Sequence, residues 1–170
     1  MSENKSLLQE RSKPVLKQEI AFLIVHLLPL AALYTGASLF DWLVCIFFYF
    51  FRMFWVTGGY HRYFSHKSYK TSRWFQAVIA FMAETSAQKG ALWWASHHRH
   101  HHRNSDTLKD PHSMLHFGFW YSHVGWIIGS DFKQTDFKVI SDYSKYPELV
   151  WLNKYYLVPP TALALSVMAL

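Results

Sequence analysis

The stretch Trp42-Leu-Val-Cys-Ile-Phe-Phe-Tyr-Phe-Phe-Arg-Met-Phe-Trp-Val-Thr-Gly-Gly-Tyr-His-Arg-Tyr-Phe-Ser-His66 decides how this chain is read. From Trp42 to Tyr60 it carries one charge, Arg52, whose aliphatic stem can lie along apolar surface while its head reaches an interface. It then ends on two histidines five residues apart. Upstream, residues 20–40 hold no formal charge, and Ile20 to Tyr34 is long enough to begin a bilayer-spanning helix. A cleaved signal peptide fits this first run less well, because the run is long, starts well into the chain and is followed almost at once by the second. Only Asp41 separates the two. Lys5, Arg11, Lys13 and Lys17 precede the first run and every other basic residue lies at or beyond Arg52, so the positive-inside rule places both outer ends in the cytoplasm. The two runs are expected to form a transmembrane hairpin over residues 20–60, after a cytoplasmic N-terminus at 1–19.

Composition excludes several other classes. In 170 residues, 51% are hydrophobic, 19% aromatic and only 16% charged, which rules out a disordered tail or low-complexity linker. A single cysteine, Cys45, inside the apolar run, excludes a disulfide scaffold and a cysteine-based zinc module. The net charge of +6 is spread singly, with no dense basic block and no nucleic-acid-binding motif, so it speaks for a membrane surface and against nucleic acid.

Downstream, residues 74–95 start apolar and then include Glu84, Gln88 and Lys89. Crossing lipid there would cost roughly 2.5–3.5 kcal/mol per charge near the bilayer centre, so 74–95 is expected as an interfacial helix or one packed on protein. Residues 104–154 are polar and aromatic with turn signals, and 61–154 reads as one cytoplasmic cap. A third apolar run begins at Tyr155, and 155–170 is expected as the start of a further span cut inside a helix. The fold class expected is an all-α integral membrane protein, with a cytoplasmic helical cap beside the hairpin.

Ten of the eleven histidines fall between His61 and His123. On an α-helix, His61 and His66 would be about 140° apart, so their rings should diverge, one from the helix end and one from the turn beyond. In Ser96-His-His-Arg-His-His-His-Arg103, the helical angles of His98, His101 and His102 fall within an arc of about 100°, while His100 points away and His97 lies on the margin. Neutral imidazole is the usual nitrogen ligand of iron, copper, zinc and nickel, and such an arc can hold one metal or bridge two. Unliganded, these rings would protonate and repel beside Arg62, Arg99 and Arg103. Asp106, Asp110 and His112 are candidates either for orienting ligand imidazoles or for solvated loop positions. His26 is expected to be packed or hydrogen-bonded, and His100 and His116 to face solvent or an interface. Trp93-Trp94 and Trp120-Tyr121 read as membrane-interface anchors.

These strings resemble the membrane-bound fatty acyl-CoA desaturases of the stearoyl-CoA, delta-9 type. His61-Arg-Tyr-Phe-Ser-His66 matches that family's first histidine box, H-x4-H, and His98-Arg-His-His101-His102 matches its second, H-x2-HH. Asp110-Pro111-His112, Ser122-His123-Val124-Gly125-Trp126 and the stretch from Pro147-Glu148 to Lys154-Tyr155-Tyr156 support the match. The resemblance implies His61, His66, His98, His101 and His102 as ligands of a di-iron centre, with Arg99 and His100 as spacers. It implies an oxidoreductase that uses O2, and electrons from a carrier such as cytochrome b5 or ferredoxin, to place a cis double bond in a saturated acyl chain held on coenzyme A or a lipid. No further catalytic residue is assigned. It also implies a multi-pass membrane protein with its histidine boxes in the cytoplasm, in a bacterial inner membrane before endoplasmic reticulum. The family's third box has no counterpart after His123, so the chain is expected to be an N-terminal part that is inactive alone.

Rival readings are a histidine-box membrane hydroxylase, a histidine-rich metal transporter or buffering protein, and a non-catalytic fragment. The flanking strings favour the desaturase over the hydroxylase, and only His26 lies mid-span where a transporter needs ligands.

Overall fold

The computed structural model describes residues 16–129 and 134–169, with side chains described from residue 20 onward. The cytoplasmic N-terminus expected at 1–19 lies mostly outside these residues. All regular elements among them are helical. They fall into two compact units, one drawn from Met1–Trp42 and His101–Gln134, the other from Leu43–His100 and Thr135–Leu170.

In the first unit, α1 (Leu16–Leu27) gives way to a tighter 3-10 turn (Leu28–Ala31) with Pro29 in its first turn, then to α2 (Ala32–Thr35). Proline cannot continue the α-helical ladder, which explains the change of winding. Gly36, at φ 77°, ends the run. The helical run that begins at Leu16 is apolar from Ile20 to Thr35. His26 donates from Nδ1 to the carbonyl of Phe22 at 2.7 Å, as its hydrogen-bonding reading expects.

Ser38 and Asp41 then cap the next helix reciprocally: Ser38 N–H and Oγ both donate to the Asp41 carboxylate (2.8 and 2.7 Å), and Asp41 N–H donates to Ser38 Oγ (3.2 Å). That helix, α3 (Leu39–Trp55), runs straight into a π-helical segment, Val56–Ser65. Together, Leu39–Ser65 is the one described helix long and apolar enough to cross a membrane. Several aromatic side chains of α3 stand exposed, Phe47 at 60% and Phe50 at 67% among them.

The second unit holds the apolar core. Beyond the π segment come α4 (Arg73–Glu84) and α5 (Ala91–Asn104), then, after a turn-rich stretch, α8 (Pro147–Lys154) and α9 (Val158–Met168). Between them in sequence, and belonging to the first unit, lie α6 (Met114–Trp120), a π turn (Tyr121–Gly125) and α7 (Trp126–Ile128). Helix α4 starts at Ser72, whose hydroxyl accepts from Phe75 N–H. It buries Gln76, Ile79, Ala80, Ala83 and Glu84, the i, i+3, i+4, i+7, i+8 stripe of a one-sided helix. That stripe packs on Tyr60, Tyr63 and Phe64 of the π segment and on Leu92, Leu149 and Leu152. Full burial of Phe64 or Leu92 contributes on the order of 1.5–3 kcal/mol each. Where residues 74–95 read as one helix, the structure has two. Thr85 caps α4, and Ala87 and Lys89 take positive φ in the turn between. The break lets the chain fold back so that Trp93 and Trp94 enter α5.

Two glycines allow close approach. A Cβ on Gly59 would sit 3.0 Å from Ile79, and one on Gly90 would sit 2.3 Å from Asn153 Oδ1 and 2.6 Å from Asn153 Cα. Asn153, on α8, fills that space to accept from Trp93 N–H at 2.7 Å. The other anchor of the α5 start is Glu84, fully buried, whose Oε1 accepts from Ala91 N–H at 2.8 Å. Burial pushes its carboxyl up to about 8, against a small opposing effect of that hydrogen bond.

Two tests follow from this packing. Gly90→Ala should destabilise the chain by about 1–3 kcal/mol through overpacking against Asn153, seen as a lower unfolding temperature in detergent; an unchanged midpoint would contradict the packing. For Glu84, the folded value exceeds the ordinary 4.5, so its contribution to stability is complete below about pH 4.5 and is lost as pH rises through about 8. Glu84→Gln should flatten the fall in unfolding midpoint between pH 5 and pH 9, and an equally steep fall in the variant would contradict the buried acid.

Candidate metal centre

The π winding corrects the expectation that His61 and His66 diverge. In an α-helix, residues five apart are badly out of phase. In this segment the hydrogen bonds run from i+5 to i, and His66 N–H itself donates to the His61 carbonyl at 3.1 Å. The two rings therefore face one another, with centroids 4.4 Å and Nε2 atoms 3.2 Å apart. Gly58-Gly59, weak α-helix formers, lie inside the rewound stretch.

Helix α5 brings the next ligand candidate. His98 Nε2 stands 3.3 Å from His66 Nε2, and its ring is 4.8 Å from that of His61. The ring nitrogens of His61, His66 and His98 all lie within 4.8 Å of one another. His102 is one turn further along the same helix. The 3.2 Å edge from His61 to His66 and the 3.3 Å edge from His66 to His98 suit a transition-metal ion: with metal–nitrogen bonds of about 2.1 Å, each would subtend roughly 100° at the metal. α5 is helical throughout, as the angular argument for the second box requires.

The His98 ring is held from behind. Trp94 stacks on it at 4.6 Å and on Tyr60 at 5.4 Å, and the Tyr60 hydroxyl donates to the Lys89 carbonyl. Trp93 is 6% exposed and stacks on His97, whose Nδ1 donates to the Trp93 carbonyl at 2.8 Å. The reading of Trp93-Trp94 as interface anchors is thereby overturned: the turn at 85–90 directs both indoles into protein contacts. Burial holds His97 below the usual histidine range, and it is directed to Trp93 and Ser96.

His101 has different partners. Its Nδ1 donates to Asp110 Oδ1 at 2.8 Å, and its ring lies 4.8 Å from that of His112, which in turn meets Trp126 at 4.5 Å. Asp110 is 1% exposed and also accepts from Asp106 N–H (3.0 Å) and His112 N–H (2.9 Å). Burial alone would raise its carboxyl, but these hydrogen bonds outweigh it and hold the group below the ordinary range. Of the two readings open for Asp110, the buried one stands: its carboxylate accepts from His101 Nδ1 and so fixes the ring. His112 is lowered by burial, with the His101 charge adding to it. His116 is exposed and meets the Asp106 carbonyl at 3.0 Å.

Sequence reasoning passed over the groups that hold the ligand segments in register. Arg99, taken as a spacer, is 12% exposed at its side chain and donates to four acceptors, among them Asp142. An arginine set among histidines was the available signal for it. Asp142, in a polar stretch, and Asn153, between Leu152 and Lys154, gave none.

Comparison with known proteins bears on this geometry. The Fatty acid desaturase family model matches residues 12–170. An sn-1 stearoyl-lipid 9-desaturase of Anabaena variabilis is 33% identical over 125 residues, 69% of this chain and 46% of its own length. An sn-2 palmitoyl-lipid 9-desaturase of Nostoc is 32% identical over 120 residues, 65% of this chain and 41% of that one. A probable acyl-CoA desaturase of Schizosaccharomyces pombe is 31% identical over 103 residues, 60% and 21% of the two lengths. The chain belongs to the fatty acid desaturase family. It spans less than half the length of these relatives.

Proposed function

We propose that the protein to which these residues belong is an O2-dependent acyl desaturase that introduces a cis double bond, at the ninth carbon, into a saturated chain carried on coenzyme A or on a lipid. The observation that carries the metal chemistry is the convergence of His61, His66 and His98. The relatives' names, two of them stearoyl- or palmitoyl-lipid 9-desaturases and one a probable acyl-CoA desaturase, support the reaction type.

His61, His66, His98, His101 and His102 are proposed as iron ligands, with Asp110 orienting His101. Iron supplies, with O2 and an external reductant of the cytochrome b5 or ferredoxin type, the oxidising power to break unactivated methylene C–H bonds, which no side-chain acid or base can do. The chain's own residues have the remaining tasks. The π segment and α5 present the imidazoles, and Trp94 and Asp110 fix the rings of His98 and His101. Five histidines are a partial set for two ions, so the activity is assigned to a protein that adds further ligands.

The same reading covers topology. Residues 20–60 are proposed as a hairpin with both outer ends cytoplasmic, 61–154 as the cap, and 155–170 as the start of a further span, in a bacterial inner membrane. The exposed aromatic surface of α3 supports lipid around it. On α4 and α8, Trp74, Ala77, Val78, Phe81, Trp151 and Leu152 line an open apolar groove of about 490 Å³, bordered by Glu148. This surface supports an interfacial position for α4.

The test is alanine substitution in the full-length protein, with products read by mass spectrometry of acyl chains and metal by elemental analysis. His61→Ala, His98→Ala, His101→Ala and His102→Ala should each cut product by more than about 100-fold and lower iron content, since even partners that merely orient ligands are worth about 10–100-fold. His100→Ala should retain most activity. Wild-type product from His101→Ala would overturn the ligand set, and a product heavier by one oxygen, in place of lighter by two hydrogens, would make the protein a hydroxylase.

A further inference from the structure

The residues that follow His66 and His98 in sequence, Lys67 and Arg99, meet at a single carboxylate. Asp142 accepts from Arg99 Nη1 at 2.8 Å and Nη2 at 3.0 Å, and pairs with Lys67 Nζ at 2.8 Å. The rest of the Arg99 guanidinium is spent on backbone. Nη2 donates to the Phe64 carbonyl at 2.5 Å, Nε to the Ser65 carbonyl at 3.1 Å, and Nη1 to the Val139 carbonyl at 3.1 Å. Phe64 and Ser65 are the last residues of the π segment, whose terminal carbonyls have no acceptor-satisfying N–H further along the helix. The adjacent carbonyl, Tyr63, is taken by the Tyr143 hydroxyl at 3.1 Å. Lys67 has φ 53°, a left-handed conformation rare for a residue with a Cβ, and it follows directly on His66. Its side chain is drawn to the same carboxylate.

We propose that Arg99 and Asp142 are positioning residues that set the separation of His66 from His98, tying the end of the first histidine segment to the second through one guanidinium–carboxylate clamp. The inference rests on the reading of these histidines as ligands. Planarity is what the clamp uses: the fork of Arg99 presents one edge to two successive carbonyls and another to Asp142, which a lysine cannot do. Hydrogen bonding from Arg99 and Lys67 outweighs the effect of burial on Asp142 and keeps it ionised. A one-residue slip of the π segment would remove both carbonyls from the guanidinium, so the clamp also selects the register in which His61 and His66 face the same way.

The experiment uses the full-length protein in detergent, with Cys45→Ser and spin labels attached through Lys70→Cys and His100→Cys. Arg99→Lys and Asp142→Asn are compared with Glu148→Gln, which breaks the surface pair Arg73–Glu148 and serves as the control for general loss of stability. Two quantities are read: the label-to-label distance distribution without metal, and the affinity and visible absorption of added Co(II). The clamp predicts a broadened distribution and at least about 10-fold weaker Co(II) binding with an altered spectrum in both variants, and neither change in Glu148→Gln. A distribution as narrow in Arg99→Lys and Asp142→Asn as in the parent would overturn the proposal. If the parent binds no Co(II) while the distributions broaden as predicted, the clamp stands and the ligand reading falls.

Discussion

Everything at the candidate centre depends on the hydrogen bond from His66 N–H to the His61 carbonyl. It is the last i+5 to i bond of the π segment, and it converts a five-residue spacing from divergent to convergent. π-helical winding is rare because it forgoes regular α-helical bonding, and it persists where surrounding contacts over-determine it. Here those contacts can be named. Gly59 lets the segment approach α4, Tyr63 donates to Gln76 at 2.9 Å, and the terminal carbonyls are taken by Arg99 and Tyr143. Cost and compensation lie within a few residues of the ligand candidates.

The second ligand element is anchored at its opposite end. α5 begins where Glu84 and Asn153 take the N–H groups of Ala91 and Trp93, two of the donors that a helix start leaves without intrahelical partners. A buried, neutral carboxyl is an expensive way to cap a helix, and Glu84 Oε2 has no partner among the described residues. The arrangement fixes the height of α5 against α4 and α8, and hence where His98 falls. Ligand placement thus follows from a polar frame around an aromatic and aliphatic core.

Much of this was legible in the sequence, for identifiable reasons. Helical periodicity set His98, His101 and His102 within one arc, because that segment winds as an ordinary α-helix, and of these the structure brings His98 to His66 and directs His101 to Asp110. The charge of Glu84 and Lys89 argued for a segment at an interface or packed on protein, and the structure buries Glu84 in protein, yet the positive φ of Ala87 and Lys89 that splits the segment has no clear signal in residues other than glycine. His61 and His66 were identified by spacing to a family pattern while their geometry was misjudged, since nothing in Val56–Ser65 announces π winding beyond two glycines. Arg99 and Asp142 are 43 residues apart, and a long-range ion pair leaves no periodic trace. Trp93 and Trp94 looked like interface residues because tryptophan is enriched there, and the fold put them against histidines instead.

The central claim is that the π segment and α5 build one metal site from His61, His66 and His98. Anomalous X-ray diffraction or element-specific density from the metal-loaded full-length protein tests it most directly. The account predicts a metal peak about 2.1 Å from the Nε2 atoms of all three residues, with the His66 N–H still bonded to the His61 carbonyl. A metal bound elsewhere, or rings of His61 and His66 turned to opposite sides of an α-helical segment, would contradict it.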